Sequence, residues 1–316
     1  MLASICPNDV DFSTCGHGER AGSDDTLRWC AGFHRVRWND PFLPPDRRAR
    51  AGKPGGAVGA ACRARLSIRS ALRAPLASLA ALEDRHVDAI ALGARGEETL
   101  LLQTAPRAWI DLNRAEHERD PLLDEGACGS AAPSAKVRAG IGLVPRRTAS
   151  AGELWRGRLS AAEVEARIVA DHRPYHDMLA DLLAAARARF GCAVLLDVHS
   201  MPPIAGGRAR LVIGDRFGRA AGGRFVQRVE AEVAESGLHH ALNTPYAGGH
   251  ILERHGRPHD GVHAIQLEID RALYLDRRLD APGPGAPAVT RLLRAIIDAL
   301  ADEALAPPGT LAQAAE

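Results

Sequence analysis

CAVLLDVHSMPP (192–203) is the stretch on which the fold turns. Its first half, CAVLLD (192–197), is a short unbroken apolar run. Such a run suits a strand covered on both faces at the centre of a mostly parallel sheet. Upstream, Ser160 and Glu163 stand three apart, the reciprocal pair that satisfies two backbone N–H groups at a helix start. Val164, Ile168, Met178, Leu179, Leu182 and Leu183 supply an apolar helix face, with Pro174 as a break or kink. Gly191 is placed to end that helix in the left-handed conformation, directly before the strand.

Working outward, LASLAALEDRHVDAIALGA (76–94) carries Leu76, Leu79, Leu82, Val87 and Ile90 at helical spacing. TLLLQTA (99–105) reads as a buried strand, and AWIDLNR (108–114) as a second strand running into a loop. Residues 115–150 form an irregular excursion too long for an idle connection. ARLVIGD (209–215) and VHAIQLEID (262–270) read as strands, with helices at about 219–236 and 287–305. Strands alternating with helices predict an α/β three-layer sandwich: a mostly parallel or mixed central sheet with helices on both faces.

The 316 residues divide unevenly. Residues 1–70 show no sustained period and hold four of the six cysteines. They read as a flexible tail, as the product of a shifted frame of a GC-rich gene, or as a small subdomain. A patterned domain is expected from 71 to 306, and a flexible tail over 307–316. The formal net charge of +1 gives no support for a nucleic-acid partner, which would require a strongly basic face. No apolar run approaches the roughly 18 residues of a membrane span. The start, MLASICPNDVDFSTCGHGER, lacks the apolar core of a secretory signal. Six irregularly spaced cysteines form no C-x-x-C pair, so a reducing, cytoplasmic compartment is expected.

Chemistry-bearing residues gather at strand ends, where open α/β sheets bind ligands. In DVHSMPP, Asp197 and His199 share a face. The imidazole could bind a metal with its second nitrogen oriented by a partner, or simply be a hydrogen-bonded histidine closing the sheet. Ser200 lacks the G-x-S-x-G setting of a nucleophile. Glu268 interrupts AIQLEI; it is either a buried carboxylate near a metal-bound water or a solvent-facing residue of an edge strand, as polar Gln266 and Asp270 also allow. Asn113 and Arg114 offer a donor fork for a carboxylate, or a plain surface arginine. Glu83, Asp84 and Asp88 offer carboxylates near a metal or an exposed helix face. His172 and His176 stand i,i+4, but without the H-E-x-x-H glutamate that spacing does not make a zinc pair.

Seven segments in order carry a resemblance: DLNR (111–114), LVPR (143–146) with Gly152 to Gly157, HRPYH (172–176), LLDVHSMPP (195–203), GDRFG (214–218), NTPYAGGHI (243–251) and QLEIDRALYLD (266–276). Together they resemble the N-formylglutamate amidohydrolase family, over about residues 76–276. The resemblance implies a zinc carboxypeptidase and aspartoacylase-like fold, and hydrolysis of the amide between a small acyl group and an acidic amino acid. It implies a Zn2+ ion held by His199 and by Asp84 or its neighbour Glu83, and Glu268 as general base and acid. Arg114 with Asn113 would hold a substrate carboxylate, and His176, Arg216, Tyr246 and Gly249 would line the pocket. The partner implied is a small N-acyl amino acid. The family's Pro-His-Ser/Ala-Gly motif is missing: the window at about 54–65 holds no histidine. A catalytic zinc takes three protein ligands, so His86, His172 or His34 would have to stand in. Otherwise the chain would be a catalytically impaired carboxylate-binding homologue; a peptidase acting on longer chains is a third reading.

Overall fold

Among the described residues eight strands follow one another: β1 (Leu2–Ile5), β2 (Thr99–Leu102), β3 (Arg147–Thr148), β4 (Gly152–Glu153), β5 (Ala193–Met201), β6 (Leu211–Gly214), β7 (His240–Leu242) and β8 (Val262–Asp270). The computed structural model describes residues 2–5, 68, 71–103, 105–127 and 133–306. Six strands build one sheet in the order β2-β1-β5-β8-β6-β7, and β3 and β4 pair separately. β2, β1, β5 and β8 run parallel, while β6 is antiparallel to β8 and carries β7 parallel to itself. The sheet is therefore mixed.

The helices are α1 (Val87–Ala94), α2 (Ala135–Arg138), α3 (Ala161–Arg167), α4 (Arg173–Phe190), α5 (Gly223–Glu235), α6 (His250–His255) and α7 (Ala286–Leu305). Successive side chains of a strand face opposite ways, and the two faces are covered differently. Val194, Leu196 and Val198 of β5, with Ile265, Leu267 and Ile269 of β8, pack against Ile90, Val229 and Ile296 from α1, α5 and α7. On the other face Ala193, Leu195, Val262 and Ala264 meet Val164, Leu179, Leu183 and Leu252 from α3, α4 and α6. This is the expected three-layer α/β sandwich. All nine residues of β5 and all nine of β8 are buried.

On that second face the apolar positions stop halfway. Beyond Leu195 and Ala264 the same face presents Asp197 and His199 from β5, and Gln266, Glu268 and Asp270 from β8. The register sets Asp197 beside Gln266 and His199 beside Glu268. Polar groups are thus concentrated at the carboxyl ends of the parallel strands.

Several local expectations are met. Ser160 and Glu163 form both bonds of the capping box, and Gly191 closes α4 at φ 75°. Pro174 does not break the helix: a π-helical turn, Ile168–His172, joins α3 to α4 and absorbs the ring that lacks an N–H. Other expectations need correction. Residues 76–94 are not one helix but a 3-10 stretch, Leu76–Ala81, then α1, separated at His86 with φ 56°. The break turns Asp84 toward the sheet, where Ser200 N donates to it at 2.9 Å. Residues 108–114 form no strand. Ala108, Ile110 and Leu112 alternate into the core, which imitates a strand, yet the backbone bonds run to turns and to Leu143 O. The strand Leu2–Ile5 lies in a segment whose sequence shows no period, four residues being too few to establish one. His34 and the remainder of residues 6–67, and the tail 307–316, lie outside the described residues.

Candidate active site

The excursion that follows β2 folds back over the uncovered polar end of the sheet. It brings Arg107 to His199 of β5 and Asn113 to Gln266 of β8, with Asp111 between Arg107 and Arg114. Asp84 is the centre of the result: its Oδ2 lies 2.9 Å from His199 Nδ1 and 2.6 Å from Arg107 Nη2. Its Oδ1 accepts from Ser200 N at 2.9 Å and from Ser200 Oγ at 3.2 Å. On the far side of the ring, His199 Nε2 lies 2.9 Å from Asp197 Oδ2.

Burial alone would raise the Asp84 pKa. The Arg107 guanidinium and His199 outweigh it and hold the carboxyl far below the usual carboxylate range. Burial would likewise lower the His199 pKa, but Asp197 and Asp84 outweigh that and push it well up. Burial raises Glu268 to about 7, with His199 opposing and Asp84 reinforcing the shift. Its Oε1 accepts from Gln266 Nε2 at 2.8 Å. The edge-strand reading of Glu268 therefore fails: β8 lies between β5 and β6.

The two acidic neighbours separate cleanly. Asp84 faces His199, whereas Glu83 Oε1 accepts from Arg107 N at 2.8 Å, and burial lifts the Glu83 carboxyl to about 8. Of the pair, the structure brings Asp84 and not Glu83 to the histidine. Asp84 and His199 are a donor set suited to a cation, and Arg107 Nη2, 2.6 Å from Asp84 Oδ2 and 3.4 Å from His199 Nδ1, holds the positive charge that an ion there would replace. A carboxylate holding the far nitrogen of a histidine is the usual support of a metal-binding imidazole. Neither stand-in that the structure describes completes this set. His86 Nε2 lies 2.9 Å from Asp280 O, and His172 belongs to a different cluster.

Arg114 is pre-positioned by the main chain. Its Nε donates to Ile141 O at 2.8 Å and its Nη1 to Asn113 O at 2.7 Å, with Nη2 3.7 Å from Asp111 Oδ2. Asp111 also lies 3.9 Å from Arg107, so one carboxylate holds both guanidinium groups. Asn113 is used differently from the donor fork expected of it. Its Oδ1 accepts from Ile251 N at 3.0 Å and its Nδ2 donates to Gln266 Oε1 at 3.3 Å. Gln266 Oε1 also accepts from Gly249 N at 3.2 Å, so Asn113 and Gln266 fasten the loop before α6 to β8. A Cβ on Gly249 would collide with the Asn113 amide. Gly249→Ala is therefore expected to destabilise the fold by about 1–3 kcal/mol, read as a lower denaturation midpoint with an unchanged m-value.

Tyr246 is 37% exposed, and its phenol is raised by burial and by Glu268, which places it beside the site. Arg216 Nη2 donates to Glu253 Oε1 at 2.8 Å. His176 is fully buried, with Nε2 donating to Leu112 O at 3.0 Å and Nδ1 2.9 Å from His255 Nε2, so it supports the loop carrying Arg114 from beneath. Ser200 is not a nucleophile: its hydroxyl is held between Asp84 and Arg271 Nε. The residues that sequence reasoning missed are Arg107, Asp111 and Gln266. The four-residue spacing of Arg107 and Asp111 was the available signal for the first two.

With this geometry in place, the family profile described as N-formylglutamate amidohydrolase matches residues 58–275. An N-formylglutamate deformylase of Pseudomonas aeruginosa is 34% identical over 208 residues, spanning 63% of this chain and 72% of that protein. One from Pseudomonas putida is 28% identical over 205 residues, spanning 60% and 72%. The crystal structure of an N-formylglutamate amidohydrolase from Ralstonia eutropha JMP134 superposes with a TM-score of 0.66 at 33% identity, covering 73% of this chain and 86% of that one. A gene product of Agrobacterium tumefaciens shares the fold, with a TM-score of 0.50 at 19% identity over 68% of this chain and 76% of that one.

Proposed function

Because the chain belongs to the N-formylglutamate amidohydrolase family, hydrolases of an amide bond, we propose that it releases a small carboxylic acid from an N-acylated acidic amino acid such as N-formyl-L-glutamate. The observation that carries this reading is the convergence of Asp84, His199 and Glu268 at one end of the sheet, beside a guanidinium held by main-chain carbonyls. The catalytic unit is taken to be residues 71–306 together with strand β1 (Leu2–Ile5), which pairs with β2 and β5.

A divalent metal, proposed as Zn2+ and held by Asp84 and His199, would supply Lewis-acid polarisation of the acyl carbonyl and a water of lowered pKa. The chain's own groups do the rest. Arg114 pairs with the substrate carboxylate and so sets the acyl carbon in reach of attack. Glu268, ionised, takes a proton from the attacking water as the carbon–oxygen bond forms. It returns that proton to the amide nitrogen as the carbon–nitrogen bond breaks, giving formate and the free amino acid. Asp197 keeps the His199 ring in place throughout. Tyr246 and Arg216 line the approach.

The direct test is formate release from N-formyl-L-glutamate by the zinc-supplemented protein, compared with N-formyl-leucine. Hydrolysis of the first and not the second is the expected result. Binding of N-formyl-L-glutamate without turnover would instead make this chain a carboxylate-binding homologue. Arg114→Lys is expected to raise KM by about 10- to 100-fold with a smaller change in kcat, because an ammonium cannot hold two carbonyls and a carboxylate in one plane. A KM within about twofold of the parent would remove Arg114 from the binding site.

A further inference from the structure

Four imidazoles meet on the far side of the DLNR loop, and the mechanism above uses none of them as a reacting group. His172 and His176 come from the π turn and α4; His250 and His255 come from the two ends of α6. The ring centroids of His172 and His176 are 4.5 Å apart, those of His176 and His250 5.2 Å, and those of His172 and His250 5.9 Å. We propose that His172, His176 and His250 form a second metal site, one that takes a divalent transition-metal ion of the zinc type and is separate from the Asp84 and His199 pair.

One potential ligand atom from each of the three rings lies within 4.8 Å of the others, the one such group of three among the described residues. Four ligands at about 2.0–2.1 Å around a tetrahedral zinc ion stand roughly 3.3 Å apart, so small ring rotations close the set. The ring orientations favour it. His172 Nε2 donates to Arg114 O at 2.8 Å, which leaves the lone pair on His172 Nδ1; His176 Nε2 donates to Leu112 O at 3.0 Å, and its Nδ1 accepts from His255 Nε2 at 2.9 Å, a bond the metal would replace. Histidine ligands of metals are oriented by such outer hydrogen bonds to carbonyls. Among the described residues, His172 Nδ1 and His250 Nδ1 are buried without a hydrogen-bond partner. A ring nitrogen buried without a partner has a cost that binding a cation through its lone pair would remove.

Charge is compatible as well. Glu116 Oε1 lies 3.7 Å from His172 Nδ1 and Glu253 Oε2 lies 3.9 Å from His250 Nδ1. The nearby cation Arg254 is drawn toward Asp177, at 3.9 Å. Neutral imidazoles are the preferred ligands of zinc, copper and nickel rather than of magnesium or calcium. His255 Nε2, 2.9 Å from His176 Nδ1, stands next to the set and becomes a fourth ligand if its tautomer changes. A metal there would tie α4 and α6 to the loop that carries Arg114, a structural role that does not depend on the amidohydrolase reading.

The probe is Co2+ titrated into the full chain carrying Asp84→Asn and His199→Gln, which disables the other pair, with visible absorption as the readout. One equivalent with the intense bands of tetrahedral cobalt is expected. Adding His250→Gln should weaken binding by at least about tenfold. No tetrahedral signal in that background, or unchanged affinity after His250→Gln, overturns the proposal. Should the doubly substituted background fail to fold, the parent chain and its His250→Gln variant decide by stoichiometry. Loss of one equivalent supports the site, and an unchanged count overturns it.

Discussion

Glu268→Gln is expected to lower turnover of N-formyl-L-glutamate by about a hundred- to ten-thousand-fold, the usual worth of a positioned general base. Glutamine keeps the shape of the side chain and can still accept from Gln266 Nε2, so β8 should be undisturbed. What it removes is the ability to carry a proton. The direction of the pH effect follows from burial, which lifts this carboxyl to about 7. Below that value the group is protonated and cannot accept from water; above it the base is ionised. Turnover of the parent should therefore climb as pH rises through about 7, and the residual rate of the variant should lose that limb. Steady-state rates across pH with both proteins check this. A loss of less than about tenfold, or an unchanged acidic limb, would take the proton-transfer role away from Glu268.

Arg107→Met should produce the largest loss of stability. The guanidinium is the partner of Asp84, whose side chain is 1% exposed, and lies within 3.9 Å of the equally buried Asp111. Removing one member of a buried pair leaves the other charge without its counter-charge, at a cost of about 3–5 kcal/mol. For a domain of this size that corresponds to a fall in melting midpoint on the order of 10 °C. Asp84→Asn in the Arg107→Met background takes away the stranded carboxylate, so the double variant should recover part of the loss. Strict additivity of the two substitutions would show that Arg107 stabilises by packing and not by its charge.

Much of the architecture was legible because it rests on local chemistry. The capping pair Ser160 and Glu163, the left-handed Gly191 and the apolar run before Asp197 each declare themselves within a few residues. Strand Val262–Asp270 was legible to its ends. Segments without their own period were not. Ala108 to Leu112 alternates like a strand and yet is a turn packed into the core. Helix His250–His255 is too short to display a face, and Leu2–Ile5 too short to display a period.

By itself, the sequence pointed to an α/β chain resembling the N-formylglutamate amidohydrolase family, and offered Asp84 or Glu83, with His199, Arg114 and Glu268, as the residues to follow. Periodicity, capping and motif order are properties of neighbours along the chain, and they survive without coordinates. Only the tertiary structure decided that Asp84 rather than Glu83 meets His199, that Arg107 supplies positive charge beside them, and that His172, His176 and His250 from three separate elements share one place. Those are contacts between residues up to 115 positions apart, as for His199 and Asp84. The chain's winding brings them together through burial on one face of a sheet, and no local pattern encodes which of two adjacent carboxylates that face will turn inward.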